Sequence, residues 1–308
     1  MPLREEYPRA TTAVDTSTLK GKWLPGPGDV EIDFFPDVSE YPADCLFDTG
    51  FVLPSGATAQ LYDNTCESVV DLHFKWMQQV GVDGILVQRF LSSFTDDTFI
   101  TILDQVQAAA EKYGLVFVVE YDVSGSNSSL GSVAYQVTND YKTNIKPYTS
   151  SSAYIHQDNK PVVMAFGIEY TDRALTALDA LNIVNGMKGA GAYFGIGPPT
   201  NWASLLSDAN WGPVMKAANL ISPWTVDAYS HSSYSNYFNT QKSDMQLLTP
   251  LGIDYAPVIW PGTSADHLNG GNNPADLDYF PWYNGTFYEA QTTNVISLDP
   301  MFIFTAIF

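Results

Sequence analysis

Seven short and nearly continuous apolar runs recur along the chain, and they restrict its possible folds more than any other feature. Their starts lie about 30 residues apart, and two of the intervals are longer. Such runs are typical of strands buried on both faces of a parallel sheet, and a β-α unit needs roughly 30 residues. The chain is therefore predicted to be an α/β protein. The runs are GILVQRF (84–90), LVFVVEYD (115–122), PVVMAFGIE (161–169), AYFGIG (192–197), LISPWTV (220–226), DYAPVIW (254–260) and MFIFTAIF (301–308).

Helical patterns lie in the intervals between the runs. Apolar residues at helical spacing predict helices over 65–80 and 96–113, and Gly81 and Gly114 follow them as stops. Weaker helical patterns cover about 172–187, 208–219 and 236–249.

The order of these elements favours a (β/α)8 TIM-type barrel over a doubly wound sheet. Polar and aromatic residues follow nearly every predicted strand, and a barrel gathers all its strand ends around one mouth. No GxGxxG sequence follows an early run. No convincing strand precedes residue 64, so we expect a missing or irregular first strand. We assign residues 1–62 to an irregular N-terminal segment that packs on the barrel, and residues 63–308 to the barrel domain.

The charge balance excludes several classes of partner. Lys and Arg number 14 against 34 Asp and Glu, which gives a net charge of −20. A chain with this much negative charge repels phosphate backbones and anionic lipid. We therefore expect no nucleic-acid or membrane partner. The N-terminus MPLREEYPRATT has no apolar h-region, which predicts no signal peptide in this chain. Sequons at Asn127 and Asn284 and the scarcity of lysine favour a secreted, glycosylated parent protein, and we expect a monomer.

Two cysteines, Cys45 and Cys66, are too few for a disulfide scaffold. Two buried free thiols and a single surface disulfide are both open. His73, His156 and His231 show no metal-ligand spacing among themselves or with His267.

The sharpest local feature is a pair of carboxylates at the end of the second run. Strand side chains alternate, so Glu120 and Asp122 project to one face. Like charges held close together push one pKa up, which provides an acid beside a base. The alternative is a surface Glu120 and an Asp122 that caps the following turn.

Further polar candidates end the neighbouring strands. Glu169 follows the next run and is the candidate for the second carboxylate of a glycosidase, while Asp172 is better explained as a helix N-cap. Gln88 and Arg89 end an earlier run, where Arg89 either binds a substrate hydroxyl or pairs with one of the nearby acids. Asp227 has the same strand-end position.

Aromatic residues recur in the predicted loops and suit the apolar faces of sugar rings. Any one of these aromatic residues is more often a core residue than a ligand-binding one. Their high density in the predicted loops nevertheless favours a sugar-binding role for some of them. The loop from Trp260 to His267 is the best single candidate. The substrate-binding candidates of this kind are Trp202, Trp224, Trp260, His267 and Trp282.

The ordered series of motifs resembles the glycoside hydrolase family 71/99-like proteins, a group related to endo-mannosidases. The resemblance rests on VVDLHFKWMQQVGVDGILVQRF (69–90), VVEYDVSG, KPVVMAFG (160–167), GIGPPTNW (195–202), ISPWTV (221–226), YAPVIWPG (255–262), MFIFTAIF and the upstream EIDFFPDVSEY (31–41). It covers about residues 29–308 and implies a (β/α)8 barrel that acts on carbohydrate. In related endo-mannosidases the carboxylate at the end of the third strand is catalytic, and that position matches Asp122.

Our hypothesis from the sequence is a glycoside hydrolase that cleaves oligosaccharide or polysaccharide with paired carboxylates at the barrel mouth. Two carboxylates suffice for that reaction, so we expect no cofactor. The alternative is a non-catalytic barrel that binds carbohydrate, which the irregular first strand favours. A third hypothesis is a metal-dependent hydrolase that uses the same acidic residues.

Overall fold

The computed structural model of the chain describes residue 26 and residues 35–95, 97–123, 131–170, 175–264, 279–280 and 283–306. The chain divides into two compact units. Unit 1 comprises residues 1–73 and 264–279, and unit 2 comprises residues 74–263 and 280–308. The first unit thus ends beyond residue 62 and includes a second stretch of chain far from the N-terminus.

Unit 1 contains a β-hairpin where the sequence predicted only irregular chain. Strand β1 (Leu46–Val52) pairs antiparallel with β2 (Thr58–Tyr62), and Gly56 lies in the turn with a φ of 84°. The Thr49 hydroxyl donates to the carbonyl of Ala59 at 2.8 Å, and both residues are buried. The prediction was wrong here because most residues of the two strands are half-exposed, so their apolar pattern is weak.

A disulfide joins Cys45 and Cys66, whose Cα atoms are 6.0 Å apart. Of the two possibilities that the sequence left open, the structure therefore has the bonded pair. The same unit contains a ring cluster in which Tyr41 and Tyr62 stack at 4.6 Å, while Tyr41 and the His73 ring share a 2.8 Å hydrogen bond.

The described helices follow the predicted pattern where that pattern is strong. The second predicted helix is α2, in which Leu103, Val106 and Ala110 are buried and Gly114 terminates the helix in the left-handed conformation. Helices α3 and α8 had no strong periodic pattern and were not predicted. The helices are α1 (Glu67–Val80), α2 (Thr98–Tyr113), α3 (Val133–Asp140), α4 (Ala177–Gly189), α5 (Trp202–Leu205), α6 (Trp211–Ala217), α7 (Tyr234–Leu248) and α8 (Thr286–Ile296). Within the described residues, no helix is both long and apolar enough to cross a bilayer.

Unit 2 is built on a mostly parallel sheet. Its strands pair in the order β3-β4-β6-β7-β8-β9, each parallel to the next, and β5 adds antiparallel to β6. Strands β10 and β13 form a separate parallel pair. The predicted α/β class is confirmed, and the order is consistent with a TIM-type barrel. The strands are β3 (Gly84–Phe90), β4 (Val116–Asp122), β5 (His156–Gln157), β6 (Lys160–Phe166), β7 (Tyr193–Gly197), β8 (Leu220–Ile221), β9 (Asp254–Tyr255), β10 (Val258–Ile259), β11 (Thr263–Ser264), β12 (Tyr279–Phe280) and β13 (Phe304–Thr305).

Two of the apolar runs form strands that are much shorter than the runs themselves. The run 220–226 gives only β8, and the run 254–260 is divided into β9 and β10. Each contains a proline, Pro223 or Pro257, which has no N–H to donate to a neighbouring strand. Among the described residues the parallel sheet begins at β3.

The register gives the sheet two distinct faces. Val118, Met164 and Leu220 belong to a buried apolar cluster on one face, which also carries Glu120 and Asp122 and is called the acid face below. Arg89 and Tyr121 lie in register on the other face, called the helix face, where the Tyr121 hydroxyl bonds to a residue of α3.

Gln291 on α8 connects several backbone segments of unit 2. Its side-chain oxygen accepts from the Tyr229 hydroxyl at 2.8 Å and from the Trp260 N–H at 3.2 Å. Its amide donates to the carbonyls of Trp260 at 2.8 Å and Phe287 at 3.2 Å. Gln291 has no exposed surface, and these bonds satisfy both ends of its side chain.

Candidate active site

Two buried carboxylates form the centre of the candidate site. Glu120 and Asp122 lie at the carboxyl end of β4 with 8% and 3% of their surface exposed, and both project from the acid face. The apolar residues that precede them make β4 a buried strand. The alternative of a solvated surface Glu120 was therefore wrong, whereas the turn that Asp122 might cap lies outside the described residues. We call Glu120 and Asp122 the acid pair.

The acid pair divides into a proton donor and an acceptor. Burial, and then the charge of Asp122, raises the pKa of Glu120 from 4.5 to about 8. The Gln88 amide donates a 2.9 Å hydrogen bond to Oδ2 of Asp122. Glu120 therefore retains its proton at neutral pH beside a carboxylate that accepts a hydrogen bond. The raised pKa of Glu120 agrees in direction with the expectation from the sequence, but burial and not the charge of Asp122 is its larger cause.

Arg89 does not lie with the acid pair. It is on the helix face with 1% of its surface exposed, and its Nε and Nη2 donate to the two oxygens of Asp140 at 2.8 and 2.7 Å. Neither predicted role, hydroxyl binding or pairing with a mouth acid, fits this position. Strand alternation explains the correction, because adjacent Gln88 and Arg89 must point to opposite faces.

The Arg89–Asp140 pair is one part of a buried network behind the site. The Tyr121 hydroxyl donates to Asp140 at 2.9 Å, and the Asn144 amide donates to it at 2.7 Å. The guanidinium also lies 4.4 Å from the centre of the Phe99 ring. Because Tyr121 lies between Glu120 and Asp122 in sequence, this network fixes the strand segment that carries the acid pair.

Glu169 follows β6 and has an unusual backbone. Its φ is 74°, which is rare for a residue other than Gly, Asn or Asp, and the side chain is half-buried. Burial, and then the charge of Asp208, raises its pKa. Asp208 is held in the loop after β7 by the N–H groups of Asn210 and Trp211, each at 2.8 Å. Sequence reasoning missed Asp208, although an Asp that accepts N–H bonds at a helix start is a recognisable cap.

Asp227 follows β8 at a corresponding strand end. It is exposed, and its φ of 64° is again left-handed. Conformations of this kind cost about 1–3 kcal/mol and cluster at functional sites, which is a reason to keep Glu169 and Asp227 as candidates.

Two of the tryptophans predicted to bind sugar belong to the core. Trp202 and Trp260 have no exposed surface. The Trp202 indole N–H donates to Asp244 at 3.3 Å, and that of Trp260 donates to the carbonyl of Thr225 at 3.1 Å. With no ring face exposed, neither can stack on a sugar in this structure. Indole rings followed by polar loop residues look alike in sequence whether they point inwards or outwards.

Trp224 is different, because it is half-exposed and belongs to a row of aromatic side chains. Its ring lies 5.2 Å from that of Phe166 and 6.3 Å from that of Phe304. Phe166 also contacts Tyr170 at 5.3 Å. We call Phe166, Tyr170, Trp224 and Phe304 the aromatic wall, and all four are partly exposed.

The aromatic wall begins directly beside the acid pair. Phe166 on β6 is in register with Asp122, and Phe90 on β3 is in register with Asp122 from the other side. Phe90 is 42% exposed, which is high for a phenylalanine on a strand. Asp122 therefore lies between two aromatic residues on the acid face. Sequence reasoning missed both, although each is two residues beyond another acid-face residue on its strand.

Two of the predicted site residues, His267 and Trp282, lie outside the described residues. A cavity of about 430 Å³, lined by Asp158, Tyr193 and Asp254 among others, is at the amino-terminal ends of the strands, opposite the acid pair. In the part of the chain that the structure describes, no group of three or more His, Cys, Asp or Glu side chains is arranged to hold a metal ion.

Comparison with known proteins gives a likeness in structure alone. No protein-family model and no curated protein matches the sequence. The GH99 endo-alpha-mannosidase from Bacteriodes thetaiotaomicron matches with a TM-score of 0.57 at 12% identity, over 80% of this chain and 72% of that one. A glycoside hydrolase-like protein matches with a TM-score of 0.55 at 13% identity, over 83% of this chain and 79% of that one. The chain therefore has a glycoside hydrolase-like fold.

Proposed function

We propose that this protein is a glycoside hydrolase in which the acid pair carries out the chemistry at the mouth of a closed (β/α)8 barrel. The observation that carries the proposal is the buried acid pair itself, in which Glu120 keeps its proton and Asp122 accepts a hydrogen bond from Gln88. Glycoside hydrolysis needs one carboxylic acid to protonate the leaving oxygen and one carboxylate to supply a nucleophile or a base. The glycoside hydrolase-like fold supports the same reaction class and a carbohydrate substrate.

Each residue of the acid pair has a separate role. Glu120 donates its proton to the glycosidic oxygen as the bond to the leaving group breaks. Asp122 attacks the anomeric carbon or activates water, and the Gln88 amide orients its carboxyl group through the hydrogen bond to Oδ2. The reaction is balanced by these two groups and water, and the proposal includes no cofactor.

The remaining polar candidates complete the proposed site. Glu169, whose pKa is raised, is the candidate for an additional carboxylate that assists one of the two steps. Asp227 holds substrate hydroxyls, and Trp224 stacks on a sugar ring through its exposed surface. His267 and Trp282 stay predictions for the same substrate-binding role.

The test is hydrolysis of a panel of aryl hexosides and pentosides by Glu120→Gln and Asp122→Asn, with Glu289→Gln as control. Glu289 is an exposed glutamate on α8, so its substitution changes charge without touching the acid pair. We expect each acid-pair variant to lose at least about 100-fold in kcat, because general acid catalysis alone contributes that much. Full activity in both acid-pair variants would refute the proposal.

A second candidate function is carbohydrate binding without cleavage, and the aromatic wall is the observation that favours it. Four partly exposed rings can bind a sugar whether or not the acid pair reacts. Calorimetric titration with the same sugars, combined with the absence of hydrolysis in the wild type, would select this function over the first.

A further inference from the structure

Gly197 on β7 lies beside Phe166, the residue of the aromatic wall that is in register with Asp122. Gly197 is itself in register with Phe166. The three positions therefore form one row on the acid face of neighbouring strands. A side chain at position 197 would project into the same space as Phe166.

The space at Gly197 is already occupied by its neighbours. A Cβ atom placed there would lie 3.3 Å from Cδ2 and 3.4 Å from Cα of Phe166, and 3.4 Å from the carbonyl oxygen of Ser222. Unlike Gly114 and Gly191, Gly197 does not have a left-handed backbone. The absence of a side chain at Gly197 therefore matters for the room it gives the Phe166 ring and not for the backbone conformation.

The same arrangement occurs two residues earlier on β7. A Cβ atom at Gly195 would overlap Sδ of Met164, which is in register with both Gly195 and Glu120. The side chains of Met164 and Phe166 thus both extend over Gly195 and Gly197 of β7. This direction is away from β4, the strand that carries the acid pair.

The direction of the Phe166 side chain also brings its ring into contact with Trp224, the next member of the aromatic wall. With its ring over β7, Phe166 contacts Trp224, which follows β8, at 5.2 Å and an interplanar angle of 61°. The position of the Phe166 ring therefore determines whether the aromatic wall is continuous from Tyr170 to Trp224.

We propose that Gly197 is a specificity-determining residue of the site, because its missing side chain lets Phe166 lie against Trp224 and so sets how close the Phe166 ring comes to a sugar bound beside Asp122. The inference rests on the proposed function for its substrate class, a sugar whose apolar face meets the aromatic wall. Gly197 itself does not touch the reacting atoms.

The test is a double-mutant cycle of Gly197→Ala and Phe166→Leu. The added methyl would lie 3.3 Å from Cδ2 of Phe166, which is tighter than an ordinary van der Waals contact, so we expect the Phe166 ring to shift by a few tenths of an ångström towards Asp122. We expect Gly197→Ala to lower kcat/KM roughly tenfold, mainly through KM, with an unchanged pH profile. In the Phe166→Leu background, where no ring has to move, the same substitution changes kcat/KM less than about twofold. That background also relieves overpacking should the single variant fold poorly.

The matched control is Gly189→Ala on α4, where a Cβ atom meets nothing within 4 Å. It is expected to leave kcat/KM unchanged. Sugar affinities of the same variants, measured by calorimetry with the aryl glycosides, give a readout that does not depend on cleavage. A tenfold loss that is the same in both backgrounds would overturn the inference, since it would show that Phe166 is not involved.

The possible outcomes separate this inference from the proposed function. Cleavage by the wild type with an unimpaired Gly197→Ala variant overturns the role of Gly197 and leaves the hydrolase proposal in place. Sugar binding without cleavage, weakened by Gly197→Ala and not in the Phe166→Leu background, keeps the role of Gly197 and overturns the hydrolase. A wild type that neither cleaves nor binds any of the sugars overturns both.

Discussion

The buried acid Glu120 makes a prediction about stability that can be tested before any substrate is known. The perturbation is Glu120→Gln, which keeps the shape of the protonated side chain and removes its ability to ionise. Folding raises the pKa of Glu120 from 4.5 to about 8, so between these pH values the folded state binds a proton that the unfolded state has lost. The unfolding free energy of the wild type therefore falls as pH rises across this range.

The magnitude follows from the two pKa values. Each pH unit within the range costs the wild type about 1.4 kcal/mol, so the loss at pH 7 relative to pH 4.5 is roughly 3 kcal/mol. Glu120→Gln avoids the loss because glutamine stays neutral. The stability of the variant relative to the wild type should thus rise with pH and level off above pH 8, where Glu120 ionises in both states.

The assay is urea unfolding followed by tryptophan fluorescence at several pH values from 4.5 to 8.5. Glu289→Gln is the matched control, because it makes the same chemical change at an exposed position away from the acid pair. Asp122→Asn adds a second check. Removing the Asp122 charge lowers the pKa of Glu120, although burial is the larger cause and keeps it above 4.5. A difference between Glu120→Gln and the wild type that is constant with pH would refute the reasoning.

Three other changes have defined outcomes. Gln291→Leu should lower the unfolding free energy by about 3 kcal/mol or more in urea titrations, since it leaves several buried polar groups without partners; a loss no larger than that of the exposed Gln79→Leu would contradict this. Glu169→Gly should raise the melting temperature by relieving about 1 kcal/mol of backbone strain, while glycoside cleavage falls. A lower melting temperature would show that the left-handed backbone is not strained. Reduction of the Cys45–Cys66 disulfide, which spans 21 residues, should cost about 3 kcal/mol in urea titrations, and equal stability with and without reductant would contradict this.

The fold class was predictable because buried parallel strands have a strong sequence pattern. The run at 84–90 corresponds to β3 residue for residue, and the run at 115–122 differs from β4 by one residue. The prediction failed where a secondary-structure element depends on something other than the local pattern of apolar residues. Proline shortened β8, and the helix α3 is stabilised by the distant pairing of Asp140 with Arg89, 51 residues away in sequence.

Site residues on strands were predictable by alternation, but their environment was not. Alternation placed Glu120 and Asp122 together, and applied to Gln88 and Arg89 it would also have placed Arg89 on the opposite face. No local pattern could show that Trp202 is in the core, because burial of a loop tryptophan depends on what the rest of the chain packs against it.

Two kinds of energetically unfavourable feature occur at the carboxyl ends of strands in unit 2, although the left-handed residues Asp158, Asn159 and Asp299 and the buried Asp244 lie in other places. A buried acid that must stay protonated ends β4, and left-handed acidic residues follow β6 and β8 as Glu169 and Asp227. By contrast, Arg89 and Gln291 are bonded to partners that share their burial. At the carboxyl ends of the strands, a buried acid lies beside another carboxyl group, and two acidic residues have left-handed backbones. Costs of this kind persist where function requires them, which is the physical reason to place the chemistry at this end and not at the cavity on the other.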